Sequence, residues 1–332
     1  MSDSARVAVV GAGIAGLACA SALATRGANV TVFEKNRLAG GRLACLATDA
    51  GTFDAGAQYF TIRNHRFEAA VQRWLEGGHV QRWDGRMIAL ARGAEIDRTQ
   101  SAHRYVGVPG MGDLTRLLAA GVNLQLNKRI VALEHHHGRW FPVDETTRPL
   151  SVHGFDSVAV ALPSPQAAVL LKGKSEIAPA IASLQWEPCW AALLALARPS
   201  GADFEAAFVS DDPILGWMAR DSSKPQRAAV SGVAERWVLH ATPRWSRERF
   251  DIDGTQAGQW LVRSFSARLG LPLSIKLLQS HRWRFATPVT TLPELCLWDA
   301  ALRIGTAGDW CGEARVEGAY LSGMALADAI AQ

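Results

Sequence analysis

Cysteine is scarce in this 332-residue chain, and the five present (Cys19, Cys45, Cys189, Cys296, Cys311) are scattered. No CxxC pair occurs, and no Cys/His group has the spacing of a zinc site. That excludes a disulfide-stapled miniprotein and a structural zinc module; no metal is expected. The odd, dispersed set reads as reduced thiols in a cytoplasmic protein. Charge of one sign is also lacking: 35 Lys and Arg against 31 Asp and Glu leave a net +4, too balanced for a nucleic-acid binder. Repeats and low-complexity tracts are absent. A long hydrophobic run is nearly absent. The stretch that comes nearest, 18 uncharged residues from Val7 to Ala24, lacks a strongly basic flank, is Ala-rich and is broken by glycines. A strand, a turn and a buried helix fit it better than a signal peptide or a span, so no membrane association is expected. What is abundant is apolar material, 48% against 20% charged, enough for about two ordinary domains. Trp is plentiful and lopsided: of 12, seven fall between Trp186 and Trp283.

The N-terminal run has internal order. Arg6–Val10 reads as a buried strand, Gly11-Ala12-Gly13-Ile14-Ala15-Gly16 as a GxGxxG turn, and Leu17–Arg26 as a helix ended by Gly27. Asn29–Phe33 reads as a second strand, closed by Glu34. Gly11 suits a tight turn, Gly13 a close approach of backbone to a pyrophosphate, and Gly16 close packing of helix on strand. Phosphates then sit at the helix N-terminus, where free N–H groups favour anions. Glu34, 18 residues after Gly16, is placed to accept hydrogen bonds from a ribose. An acid there argues against a 2′-phosphate on the bound dinucleotide.

Gly40-Gly41-Arg42 and then Asp54-Ala55-Gly56-Ala57-Gln58-Tyr59 follow, and near the other end stand Gly308-Asp309 and Val316-Glu317-Gly318-Ala319. These segments resemble the fingerprints of the FAD-dependent amine oxidase superfamily. The resemblance implies that Gly41 and its neighbours run beside the pyrophosphate and flavin and that Arg42 neutralises phosphate. It also implies that Asp309 bonds a ribityl hydroxyl, and that the helix from Val316 aims its N–H groups at the N1–C2=O end of the flavin. Ile14, Ala15, Lys35, Ala57, Gln58 and Tyr59 complete the implied cofactor set, with Ile130 bonding adenine through its backbone. A second GxGxxG for a bound pyridine nucleotide is missing.

Between these ends, Leu114–Ala120 reads as a helix, Val122–Glu134 as one alternating strand with Arg139–Val143 as hairpin partner, and Phe155–Leu162 as a buried strand. His135-His136-His137 falls at the hairpin turn; neighbouring strand residues alternate faces, so the three form a solvated turn rather than a metal site. Leu302–Ile304 reads as a strand, and Arg244–Asp253 as a solvated helix face. The expected fold is α/β plus α+β. A Rossmann-type FAD domain (1–75, 105–163 and 293–332) is interleaved with a mainly antiparallel β substrate domain (76–104 and 164–292).

Over nearly the whole chain, GGRLAC, YVGVPGMGDLTR, ALPSPQA, WVLHATPRWSRER, HRWRFATP and GDWCGEARVEGAYLSG together resemble bacterial members of the renalase family. The resemblance implies a soluble oxidase with noncovalent FAD, acting as a monomer or weak homodimer. Such an enzyme oxidises dihydronicotinamide dinucleotides misreduced at ring position 2 or 6, with O2 as acceptor and hydrogen peroxide as product. A dihydropyridine expels hydride with its own nitrogen lone pair, so no general base is required. A flat apolar slot and a few hydrogen bonders suffice. Tyr59, Trp217, His240 and Trp283 are the candidates for that slot. Arg220, Lys224 and Arg282 read as solvated cations. An oxidase of a small amine, held in an aromatic cage, and a non-catalytic flavoprotein remain open.

Overall fold

The computed structural model describes residues 4–91 and 94–332. A six-stranded sheet runs in the order Leu297–Asp299, Ile304–Thr306, Ser157–Val160, Arg6–Val10, Asn29–Phe33, Asn123–Gln125. All neighbours are parallel except the antiparallel edge pair Leu297–Asp299 with Ile304–Thr306. The central strands read Val-Ala-Val-Val and Ser-Val-Ala-Val and are buried on both faces, as a parallel sheet between layers demands. The helix Ile14–Thr25 packs on this sheet, and Val316–Ile330 crosses it closely. A Cβ on Gly323 would come 2.0 Å from the Ala15 carbonyl oxygen, so only glycine permits that approach.

A second, seven-stranded sheet is built from Ile275–Pro288, Trp186–Leu196, Glu235–Ala241, Leu215–Arg220, Ala206–Val209, Met87–Ala91 and Ala94–Asp97, in that order. Its pairs are antiparallel except for Ala206–Val209 with Met87–Ala91. Alternation sorts its side chains. Leu194, Trp237 and Leu239 pack under the helix Gly254–Leu269, while Leu193, Ala195 and Val238 pack against Ala50, Phe53 and Ala55 of the first unit. The chain is thus mixed α/β, with a Rossmann-like unit and a larger antiparallel layer.

Several boundaries differ from the sequence reading. The first helix begins at Ile14, because the glycine turn already winds into it. The single strand expected over Val122–Glu134 is two. Asn127 takes φ 56°, and Asn127 and Lys128 donate their N–H groups to the carbonyls of Asn36 and Glu34. Asn123–Gln125 therefore joins the parallel sheet, and Ile130–His136 forms the hairpin. The strand placed at Leu302 starts at Ile304, since Arg303 has φ 53°. Arg244–Asp253 is not one helix face: Pro243–Glu248 is a short helix, and Asp253 caps the next one. His135, His136 and His137 are all exposed.

Candidate functional site

The glycine turn joins strand to helix with little room to spare. Gly11 has φ +105° and donates to the Phe33 carbonyl at 2.8 Å. A Cβ on Gly16 would lie 2.0 Å from the Gly11 oxygen, whereas one on Gly13 would meet nothing within 4 Å. Gly13 is therefore the open lip of the turn, and the helix it caps has no side-chain cap, which leaves its first N–H groups for a ligand. Ile14 and Ala15 are buried at its start. Glu34 is buried beside the turn: Oε2 accepts from the Ala12 N–H (3.0 Å) and Oε1 from the Asn36 N–H (2.9 Å). Each oxygen keeps a lone pair for a hydroxyl donor. Lys35 is exposed. Ile130 opens the hairpin strand opposite Asp144.

The second and third motifs meet each other. Arg42 Nη1 and Nη2 reach the two carboxylate oxygens of Asp309, both at 2.6 Å, and Nη1 also donates to the Ala286 carbonyl at 3.0 Å. The guanidinium lies 5.1 Å from the Trp186 ring. The resemblance gives these two charges separate parts of a cofactor to meet; in the structure they also pair with one another. Arg42 also offers its carbonyl to the Ala57 N–H at 2.9 Å, so Gly41, Arg42, Ala57, Gly308 and Asp309 converge. The helix Val316–Ile330 starts without a side-chain cap. The buried Glu317 carboxylate accepts the N–H groups of Arg63 and Asn64, each at 2.8 Å, and so pins that loop. A Cβ on Gly318 would stand 2.0 Å from the Glu313 oxygen, and Ala319 donates to the Arg315 carbonyl at 2.9 Å.

The aromatic candidates lie on one face of the seven-stranded sheet. Phe208 pairs with Trp217, Trp217 with His240, His240 with Ala191, and Ala191 with His281. Cross-strand partners project to the same side, and Trp283, two residues after His281, shares it. Tyr59 comes from the Rossmann-like unit to meet this row, its ring 5.8 Å from Trp217 and beneath the Arg104 guanidinium at 5.5 Å. Two donors from the row converge on the Ala55 carbonyl: His240 Nε2 at 3.0 Å and Trp283 Nε1 at 3.1 Å. Burial pushes the His240 imidazole down to about 4, against the Ala55 bond and with help from the positive charge of Lys224, so the ring is neutral at pH 7. Trp217 Nε1 is buried with no hydrogen-bond partner among the described residues.

Sequence reasoning missed part of this. Phe208 and His281 belong to the row but sit in strands whose register only the sheet reveals. Lys224 is not solvated; its side chain is 0% exposed. Arg220, largely enclosed, donates to the Ala202 carbonyl at 2.6 Å, whereas Arg282 is exposed as expected and donates to the Phe250 carbonyl at 2.6 Å. Gln58 accepts from Lys224 at 3.2 Å, a partner the sequence did not suggest. An isolated sequence carries no local signal for any of these partners.

Residues 9–74 match the model of the NAD(P)-binding Rossmann-like domain. A 4,4′-diapolycopene oxygenase of a Methylomonas species is 37% identical over 111 residues, covering 30% of this chain and 22% of that protein. A 4,4′-diapophytoene desaturase of Staphylococcus haemolyticus is 54% identical over 50 residues, 15% of this chain and 10% of the desaturase. The chain thus aligns with less than a quarter of either relative's length. Among solved structures, cyclohexylamine oxidase of Brevibacterium oxydans superposes with a TM-score of 0.74 at 12% identity, over 99% of both chains. Reduced UDP-galactopyranose mutase gives a TM-score of 0.79 at 11% identity, over 99% of this chain and 94% of the other. The N-terminal segment is a Rossmann-like dinucleotide-binding domain, and the whole chain shares the fold of this oxidase and mutase. No helix among the described residues is long and apolar enough to cross a membrane.

Proposed function

We propose that this protein is an FAD-dependent oxidase of the renalase type. It takes hydride from a dihydronicotinamide dinucleotide reduced at ring position 2 or 6 and passes the electrons to O2, giving NAD(P)+ and hydrogen peroxide. The observation that carries the reading is an adjacent donor and acceptor on the aromatic face. Trp217 Nε1–H is buried and unpaired, and the paired residue His240 spends Nε2–H on Ala55 and so keeps Nδ1 as a lone-pair acceptor. A primary carboxamide, such as that of nicotinamide, offers the complementary C=O and NH2. A buried donor left empty is costly, which favours a ligand that fills it. Tyr59, Phe208 and Trp283 supply flat apolar surface on which a ring can lie.

The residues around the glycine turn fit FAD. Glu34 would accept the adenosine ribose hydroxyls, Gly13 and Gly41 would admit the pyrophosphate, and the uncapped start of Val316–Ile330 would face negative charge arriving on the reduced ring. Bound there, FAD supplies the two-electron acceptor. The protein's part in the reaction is to orient the substrate ring, exclude water with the aromatic row, and keep His240 neutral. No side chain has to move a proton, because the dihydropyridine becomes aromatic as hydride leaves. Burial pushes the Cys311 thiol up to about 12, which keeps it unreactive and supports noncovalent binding. We assign 1–75, 105–163 and 293–332 to the FAD domain and 76–104 and 164–292 to the substrate domain.

A second reading, oxidation of a small amine, draws on the shared fold with cyclohexylamine oxidase. A protonated amine offers no acceptor to Trp217 Nε1, and a neutral one could accept only by spending the lone pair that drives its own hydride loss, which counts against it. Anaerobic mixing decides: borohydride-reduced NAD+, a mixture of isomers, should bleach the flavin, while pure 4-position NADH and cyclohexylamine should not. Bleaching by the amine alone would replace the first reading with the second. No bleaching by any of the three reductants would point to a non-catalytic flavoprotein.

A further inference from the structure

Lys224 follows the turn Asp221–Ser223 at the end of the strand Leu215–Arg220. Its ammonium spends all three protons on protein acceptors: Asp221 Oδ1 at 2.8 Å, Asp54 Oδ2 at 3.0 Å and Gln58 Oε1 at 3.2 Å. Arg227, also enclosed, bonds Asp54 Oδ2 and the carbonyls of Gly107, at 3.1 Å, and Pro109. Asp54 Oδ1 accepts from Cys45 Sγ at 3.2 Å and from the Met111 N–H at 3.0 Å. Burial opposes ionisation of Asp54, but Lys224 and Arg227 hold its carboxyl down at about 2. Two carboxylates thus face two cations out of water.

Such clusters are weak sources of stability, because desolvation offsets most of the attraction, but they fix geometry. What this one fixes is the segment from Asp54 to Gln58. Both end side chains are in the cluster, and Gln58 Nε2 donates back to the Asp54 carbonyl and, at 3.1 Å, to the Gly56 carbonyl. Between the clamped ends lies Ala55, whose single carbonyl receives both His240 Nε2 and Trp283 Nε1.

We propose that Lys224 is a positioning residue: by clamping Asp54 and Gln58 it sets the Ala55 carbonyl that locks His240 as the Nε2–H tautomer, with Nδ1 free to accept, and fixes the plane of the Trp283 indole. A carbonyl only accepts, so the proton must sit on Nε2 as long as Ala55 stays in place. The other titratable groups about His240 add no charge at pH 7. Burial raises the Cys189 thiol on one neighbouring strand to about 12 and lowers His281 on the next, leaving Lys224 as the cation that acts on the ring.

The test needs no substrate, so its outcome is separate from that of the oxidase reading. Long-range 1H–15N spectra of the full-length protein as purified, at about pH 7, report the tautomer, with the His240→Gln spectrum identifying the signals. The wild type should show one tautomer, protonated at Nε2. Lys224→Met removes the ammonium and should raise the Nδ1–H to Nε2–H ratio roughly fivefold or more, the effect of losing about one net hydrogen bond. Gln58→Met leaves every ion pair intact, cuts the tether to Lys224 together with the Gln58 bonds to the Asp54 and Gly56 carbonyls, and should move the ratio the same way. If Lys224→Met does not fold, Gln58→Met decides alone. A folded variant with the wild-type single tautomer, or a wild type that already mixes both forms, overturns the proposal.

Discussion

A neutral His240 has a thermodynamic consequence that can be measured without knowing the substrate. Its folded-state pKa lies at about 4, against 6.5 for an ordinary imidazole. The shift comes first from burial, with Lys224 adding to it and the Ala55 bond opposing it. The unfolded chain therefore binds a proton between these two values that the folded chain refuses. Stability is complete above pH 6.5, falls as the pH drops toward 4, and levels off below. At about 1.4 kcal/mol per pK unit the full shift amounts to roughly 3 kcal/mol. The residue keeps some solvent contact, and a measurement at about pH 4.5 stops short of the folded value, so the expected loss is about 2 kcal/mol.

His240→Gln removes the titrating group but keeps an amide that can still donate to Ala55. Urea unfolding of both proteins at about pH 7.5 and about pH 4.5 isolates the effect, since the carboxylates contribute alike to each and cancel. The wild type should lose about 2 kcal/mol more than the variant on acidification. Equal losses would mean that His240 titrates normally in the fold. It would then be cationic through the weakly acidic range, and the claim that burial keeps Nδ1 free to accept there would fail with it.

Glu34→Ala should weaken FAD retention by roughly 1.5–3 kcal/mol, the worth of hydrogen bonds to a buried charged acceptor, read by equilibrium dialysis of released flavin; undiminished affinity would show that Glu34 is not the ribose ligand. Trp283→Ala should raise KM or lower kcat while leaving the flavin spectrum and Tm nearly intact, whereas a large fall in Tm with normal kinetics would mark the indole as packing alone. Gly318→Val drives a side chain against the Glu313 carbonyl and must displace the start of the last helix. Stopped-flow traces should then show a lower limiting rate of flavin reduction with little change in substrate affinity, and the opposite pattern would remove the helix from the chemistry.

The Rossmann-like unit was legible because its signals are local. Gly11, Gly13, Gly16 and Glu34 lie within 24 residues; Gly11 and Gly16 answer to backbone constraints that the structure displays, Gly13 leaves the turn open, and Glu34 bonds the turn. The antiparallel layer was legible only as texture, a Trp-rich block with strand-like runs. Which of its aromatics share a face depends on pairings between residues such as Trp217 and His240, and between Ala191 and His281, which no spacing encodes. The charges were least legible. Arg42 and Asp309 stand 267 positions apart, Lys224 and Asp54 170 apart, so each looked like a lone cation or acid awaiting water or ligand.

One short segment ties the Rossmann-like unit to the antiparallel layer through several bonds, and this shapes how the site could change. Asp54–Gln58 gives its end side chains to the Lys224 cluster, its Ala57 N–H to Arg42 and its Ala55 carbonyl to His240 and Trp283. A substitution in it therefore moves several contacts together, and a large penalty is expected whatever the ligand. Phe208 and Trp217 carry no such links, since Trp217 Nε1 has no partner among the described residues and Phe208 is 37% exposed. Changes there alter the shape and hydrogen-bonding pattern offered to a ligand without disturbing the carbonyl that orients His240. Selectivity among related ring substrates should thus be tunable along the row from Phe208 to Trp217. Changes in the Asp54–Gln58 segment and at Lys224 should instead affect all substrates alike, because their geometry underlies every substrate the site accepts.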